Sequence, residues 1–366
     1  MTNEKKFLLF LPSFKDVEGH EISFIEVYQK IAKEIKLDLV LFNSSTNKIN
    51  FKFKNFKIFP SHNKYSKLLK PFYLITNNLK ILIKLFKIKE YQARKEDIIL
   101  IDSTSLSFLP SIIIYLCFRY QSNKIFYYQR IIENKLLKEK LFLFFLNFIF
   151  RDLRILTDSK NILQHLRKNK YNVSLMPVPH IKKNKFKNKN FISPDKINIW
   201  FPGKPRQDKG ISNLNAFLYS NRNNKNINFF CSKDLKLNFK YKFKNFKLKK
   251  LEKKKFENLY KIMHFIILPY SCSTYKFRTS GIFLEATSSS KACIIPNDTW
   301  MSELYKSRKL ENLIINDWAK LDINNITKIY NKFNLFLEIN KIRKDLNKFH
   351  NSQNFKKLFI KNISLK

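Results

Sequence analysis

Residues 6–11 form a run that is apolar after Lys6; Ile22, Phe24, Tyr28, Ile31 and Ile35 follow at near-helical spacing, and a second run, apolar except for Asp38, covers 37–42. Short apolar runs read as buried strands; apolar residues recurring every three or four positions read as one face of a helix. The alternation continues, with strands predicted at 97–102, 125–129 and 153–157 and helices near 66–87, 106–119, 133–150 and 159–168. Strand–helix alternation of this kind predicts a parallel sheet with helices on both faces.

The pattern breaks after Pro177 and Pro179, and residues 181–195 (IKKNKFKNKNFISPD) are polar, basic and weakly periodic, as expected of an interdomain linker. The alternation then restarts. Strands are predicted at 197–201, 227–231, 265–268, 292–296 and 313–315, and helices at 211–219, 256–263 and 281–287; 237–248 reads as one or two strands and 340–362 as helix. The expected fold is therefore α/β, with two Rossmann-like doubly wound domains facing each other across a cleft. The first is 1–180, the linker 181–195 and the second 196–335, while a helical segment, 336–366, packs back on the first. Ligands of such sheets bind at the carboxyl ends of the strands.

Charge changes the picture next. The 366 residues carry 71 Lys and Arg against 28 Asp and Glu, a formal net charge of +43. Abundant Lys, Asn, Ile and Phe with scarce Gly also fit an AT-rich coding sequence, so the excess alone assigns no function. The field still attracts phosphate-bearing partners, and both an anionic membrane surface and a nucleotide-sugar diphosphate qualify. No zinc-ligand spacing, heptad-backed basic helix or RNA-recognition pattern is present, so no specific nucleic acid is expected. No apolar run reaches the length of a spanning helix. Two shorter runs, 106–118 and 141–150 (LFLFFLNFIF), read as buried helices, with an interfacial helix as the alternative. Cys117, Cys231, Cys272 and Cys293 form no C-x-x-C pair and are expected as reduced core residues. With no signal peptide in view, the expected location is cytoplasmic, including the inner membrane face.

Two segments carry candidate chemistry. PGKPRQDKG, 202–210, follows a predicted strand and holds Gly203 and Gly210, two of only four glycines in the chain. Glycines retained where glycine is rare suggest positive φ or close backbone approach. Arg206 and Lys209 on that loop suit a diphosphate clamp, Arg bidentate and Lys as a point charge; the plain alternative is a solvated basic turn. The second segment, LPYSCSTYKFRTSGIFLEA (268–286), runs from a strand end to a helix start near Ser280 and Gly281. Helix-start amides make an anion site. Glu285 lies one turn in, placed to accept hydrogen bonds from a ligand's hydroxyls, or merely favoured by the positive helix end.

Together, R-x-x-K-G after a strand and S-G-x-x-x-E-A after L-P-Y resemble the donor half of the GT-B glycosyltransferases of the family 4 type (group 1). Supporting likenesses are ENLYKIMHFIILPY, KACIIPNDTWM, ILTDSKNILQHL and MPVPH. The resemblance spans most of the chain, but only the donor motif is specific. It implies a hexosyltransferase in which Arg206 and Lys209 hold the donor diphosphate and stabilise its departure, and Glu285 binds the nucleotide ribose. Gly203, Gly281 and Ser280 line the donor. One departure stands out. The first Glu of the family's E-x7-E motif falls at Phe277, so Tyr275, Arg278 or Ser280 takes over the sugar contact. On the acceptor side, the loop EGHEISF offers Gly19, His20 and Glu21. His20 suits contact with the acceptor or the leaving phosphate, or is simply an exposed polar residue. Asp102, Ser103, Gln129 and Arg130 end other strands of the same half.

There is no D-x-D, P-loop, G-x-S-x-G or H-E-x-x-H. No metal and no cofactor are therefore expected beyond the nucleotide-sugar co-substrate. The expected activity is transfer of a sugar, with retention, to a glycan or lipid-linked acceptor in cell-envelope polysaccharide synthesis. The alternatives are a catalytically degenerate binding protein of the same fold and a basic membrane- or nucleic-acid-binding protein.

Overall fold

A computed structural model describes residues 5–364 except 13, 15–19, 45–52, 61–69, 89–96, 103–107, 120–123, 131–135, 151, 180–195, 249–252 and 331–332. The predicted linker, Gly19 and Ser103 lie outside the described residues, as do the side chains of His20 and Glu21. The chain divides into two compact units, 1–180 with 352–366, and 181–351.

The first unit alternates β1 (Lys6–Leu11), α1 (His20–Glu34), β2 (Asp38–Asn43), β3 (Lys54–Lys57), α2 (Lys70–Lys87), β4 (Ile98–Asp102), α3 (Leu109–Arg119), β5 (Ile125–Tyr128), α4 (Leu136–Ile149), β6 (Arg154–Thr157), α5 (Lys160–Lys168) and β7 (Val173–Leu175). The seven strands pair in parallel in the order β3-β2-β1-β4-β5-β6-β7. β1, KFLLFL, is buried throughout, as a central parallel strand covered on both faces must be. The edge strand β3, KNFK, is mostly exposed, and its weak apolar content explains why pattern alone does not predict it.

The second unit runs β8 (Ile197–Trp200), α6 (Ile211–Ser220), β9 (Ile227–Ser232), β10 (Lys244–Leu248), α7 (Lys253–Ile262), β11 (Phe265–Ile267), α8 (Cys272–Tyr275), α9 (Gly281–Ser288), β12 (Ala292–Pro296), α10 (Trp300–Lys306), β13 (Ile314–Ile315), α11 (Ile323–Tyr330) and α12 (Phe333–Phe349). Its parallel strands order as β10-β9-β8-β11-β12-β13. This is the Rossmann order, whose direction reverses between β8 and β11. Trp200 and Tyr260 meet edge-to-face at 5.2 Å, and Phe283 packs on Trp300 and Tyr305 at 5.2 and 5.6 Å. Of the alternating stretch 237–248, only β10 is strand.

The predicted terminal segment 336–366 is divided. α12 stays with the second unit, where Asn347 and Asn340 bond Ser288 and Ser290 of the α9 end at 2.9 and 3.1 Å. α13 (Ser352–Ser364) belongs to the first unit. There Phe359 stacks on Phe7 at 5.7 Å, meets Tyr28 at 5.8 Å and Phe126 at 5.5 Å, and is fully buried. Asn362 fixes the helix further, its Oδ1 accepting from Ser174 Oγ at 2.7 Å and its carbonyl from Arg154. Two cysteines depart from expectation: Cys231 and Cys293 are buried, but Cys117 and Cys272 are exposed, and all four are free thiols.

Phe359→Ala is expected to destabilise the first unit by about 3–5 kcal/mol, the scale for a buried aromatic lost from a core. Denaturant unfolding followed by circular dichroism measures it; a loss below about 1 kcal/mol would show that α13 does not complete this core.

Candidate functional site

The two motif segments leave adjacent strand ends. β8 and β11 pair in parallel, so the loop after Trp200 and the loop after Ile267 start side by side. Strand order reverses between these two strands, and the crevice outside such a reversal is where open α/β sheets bind ligands.

Glycine lets the loops touch. A Cβ on Gly210 would fall 1.6 Å from the Pro269 carbonyl oxygen, so only hydrogen fits, and its φ of +69° favours glycine as well. Asn213 Nδ2 donates to the same carbonyl at 3.2 Å, and the Ser271 amide donates to the Asp208 carbonyl at 3.1 Å. Gly203 has φ +85°, and a Cβ there would stand 2.6 Å from Lys209 Nζ. The missing side chain makes room for the amine, which donates to the Pro202 carbonyl at 3.4 Å.

Two arginines converge on one acid. Asp208 Oδ2 accepts from Arg206 at 3.0 Å and from Arg278 at 3.4 Å, bridging the two loops. Asp208 was not among the residues singled out from sequence. Its signal there is an acid lodged between Arg206 and Lys209 in an otherwise basic loop. Burial pulls the Lys209 ammonium down to about 8; repulsion from Arg206 and Arg278 adds to the fall, and Asp208 opposes it. The cluster thus carries more positive charge than its one carboxylate neutralises, and an anion would relieve the strain.

Tyr275 is buried against this cluster. Its ring lies 4.2 Å from that of Tyr270, and Arg278 stands 5.7 Å from its centroid. Burial raises its phenol, and Arg278 and a hydrogen bond to Arg206 hold it back. Tyr275 therefore backs the cations rather than presenting a free surface. Ser280 is also engaged: its hydroxyl caps α9 by accepting from the Phe283 amide at 3.1 Å. Gly281 and Ile282 supply the first amides of α9, which helix geometry leaves without intrahelical partners. Glu285 lies one turn in, half-buried, near enough to Tyr260 to push that buried phenol further up. Arg206, Lys209, Arg278, Ser280, Gly281 and Glu285 thus fall on two contiguous segments of one unit.

The acceptor-side candidates belong to the first unit. His20 and Glu21 open α1 instead of lying in the loop before it. Asp102 ends β4, and Gln129 and Arg130 follow β5. Arg130 bonds Asp102 at 2.8 Å, with its guanidinium 3.8 Å from the Phe24 ring centroid and 4.8 Å from that of Tyr128. Burial disfavours the Arg130 charge, but Asp102, Tyr128, Asp158 and Tyr28 together outweigh it and raise the group above its ordinary value. The Tyr28 and Tyr128 hydroxyls and Arg130 Nε are buried and have no hydrogen-bond partner among the described residues.

No family model matches the chain, and no curated protein does either. Solved structures do match over essentially its whole length. A glycosyltransferase from Rickettsia africae superposes with TM-score 0.66 at 14% identity, covering 99% of this chain and 98% of its own. A trehalose-6-phosphate structure from E. coli bound with UDP-2-fluoro glucose gives 0.65 at 11% identity, covering 99% and 100%. WaaG, a glycosyltransferase involved in lipopolysaccharide biosynthesis, gives 0.63 at 10% identity, covering 98% and 100%. At these identities the shared property is the fold. The chain has the GT-B fold of these structures, built on two parallel sheets of seven and six strands.

A phosphate contact by Lys209 would make the site's anion affinity depend on pH. Below about 8 the amine is charged before a diphosphate arrives; above it, binding must draw a proton from solvent. Pyrophosphate affinity measured by calorimetry is expected to gain, above about pH 8, a fall approaching tenfold per pH unit on top of the ligand's own titration. Lys209→Arg should flatten that fall, since a guanidinium stays charged. An unchanged slope in the variant would show that another group titrates.

Proposed function

We propose that this protein is a glycosyltransferase that takes a sugar from a nucleotide-diphosphate donor held on its second unit and passes it to a glycan or lipid-linked acceptor read by the first. The pairing of Arg206 and Arg278 on Asp208, with Lys209 near enough to feel all three charges, beside the start of α9 at the reversal of strand order, carries the reading. The donor's phosphates meet the three cations and the amides of Gly281 and Ile282. The ribose hydroxyls meet Glu285.

In the reaction, the bond between the anomeric carbon and the diphosphate oxygen breaks, and the acceptor's hydroxyl oxygen bonds to that carbon. The hydroxyl proton passes to a base, for which His20 is the candidate by residue type. Negative charge grows on the departing diphosphate, and fixed cations and helix amides are already in place to stabilise it without reorganisation. We read the transfer as metal-independent and retaining, on the resemblance of the donor motif. The Asp102–Arg130 pair, wedged between aromatic rings, is the polar patch best suited to an acceptor in the first unit. The lipopolysaccharide role of WaaG supports a place in envelope glycan synthesis.

A second reading has one observation in its favour. Phe277 stands where the family's first motif Glu would contact the sugar. A chain of this fold that binds the nucleotide without turnover would show that substitution. Calorimetry against UDP, GDP, ADP and CMP, followed by the matching nucleotide sugars with acceptor glycans, separates the two. Both readings require nucleotide binding, and only the first requires sugar release into product.

Glu285→Gln is expected to weaken binding of the preferred nucleotide by about 1.5–3 kcal/mol, the scale of a hydrogen bond to a charged group. Unchanged affinity would remove the ribose assignment. Arg206→Ala should lower turnover with little change in unfolding free energy, because its side chain is half exposed. An unfolded variant would mark the loop as purely structural.

A further inference from the structure

Ten of the fourteen large hydrophobic residues exposed among the described ones lie on three helices of the first unit, α2, α3 and α4. Right-handed crossovers in this strand order place those helices on one face of the sheet, and α2 packs against α3.

Helix α2 is apolar on both sides. At about 100° per residue, Ile81 and Leu85 point one way, and both are buried. Phe72, Ile75, Leu79 and Ile83 form a stripe on the opposite side, each more than half exposed. The stripe adjoins α3 through Phe86, whose ring meets Tyr115 at 5.6 Å and Phe118 at 6.4 Å; Phe118 itself is 76% exposed. On α4, Leu143 and Leu146 are buried, whereas Phe144, Phe145 and Phe148 stand out, Phe148 being 74% exposed. The Phe144 and Phe148 rings stack on each other at 6.3 Å, and neither meets an aromatic ring of another element among the described residues. Among its described side chains the run 141–150 is thus more surface than core, and not the fully buried helix expected from its composition.

A core needs one apolar face per helix, so the second face calls for a further partner. Charge selects it. The three helices carry seven Lys or Arg and a single acid, Glu139. Lys80, Lys84 and Lys87 fall on one flank of the α2 stripe by helical spacing. A second copy of the chain would press this positive field against itself. An anionic lipid surface would take the rings among its headgroups while neutralising the lysines. No helix among the described residues is long and apolar enough to cross a membrane, so the contact lies in the interface.

We infer that the outer faces of α2, α3 and α4 dock this protein on an anionic lipid bilayer. Such docking does not require that the chain transfer a sugar, and it is read out without donor or acceptor. The test is co-sedimentation of the full chain with vesicles of phosphatidylcholine mixed with phosphatidylglycerol, and with phosphatidylcholine alone. Binding to the anionic vesicles is expected to exceed binding to the neutral ones by about tenfold or more and to weaken with added salt. The double variant Phe145→Ser with Phe148→Ser should bind the anionic vesicles about tenfold more weakly, with an unchanged thermal midpoint because both rings are exposed. Leu79→Ser with Ile83→Ser, on a different helix, should do the same. Equal binding to both vesicle types, wild-type binding by both double variants, or no binding at all would overturn the proposal. So would a dimer in light scattering that the same substitutions dissolve, since it would assign the face to a second copy.

Discussion

The Gly210 backbone lies so close to Pro269 that a single methyl group would collide with the carbonyl. That contact locks the loop after β8 to the loop after β11. It sets Asp208 where it can hold Arg206 from its own loop and Arg278 from the other. Without it, the three cations would belong to two independent basic turns. With it, the two arginines share one carboxylate, all three cations share one strand-end crevice, and burial joins the arginines' repulsion in pulling Lys209 down. On the proposed reading, the second unit's affinity for a diphosphate follows from that contact and not from net charge.

The two units use their strand ends differently. In the second, positive charge exceeds the single acid within the loops, leaving capacity for phosphate. In the first, Arg130 is matched by Asp102 and enclosed by Phe24 and Tyr128. The first arrangement suits a highly charged donor; the second suits a ligand recognised by a few hydrogen bonds and an aromatic wall. The proposed lipid contact adds a third use of the molecule, on helix faces of the first unit. Together the three proposals describe a chain that draws a water-soluble donor to a surface where a lipid-linked acceptor resides.

Much of this was legible in the sequence, for physical reasons. Buried parallel strands such as β1, β4 and β12 are short, largely apolar runs, and their length and their alternation with longer helical stretches mark them as strands. Gly203 and Gly210 stood out because glycine is rare here, and both have positive φ. What escaped was the short and the half-polar. β3 and β7 are short edge strands, and α8 is a single turn. The end of the second unit was misplaced because 340–362 is helical throughout in pattern, whereas the chain crosses to the first unit between α12 and α13. Asp208 escaped because its partner Arg278 is seventy residues away. Burial of Tyr275 and the capping role of Ser280 likewise depend on tertiary packing, and the two-sided α2 and α4 show that apolar content does not say which face is covered.

A crystal structure of the protein with the nucleoside diphosphate it binds most tightly tests the central claim directly. The expected result places phosphate oxygens within hydrogen-bond reach of Arg206, Lys209 and the Gly281 amide, with Asp208 yielding at least one arginine to the ligand. A nucleotide bound elsewhere, or one whose phosphates leave the Asp208 pairs untouched, would contradict it.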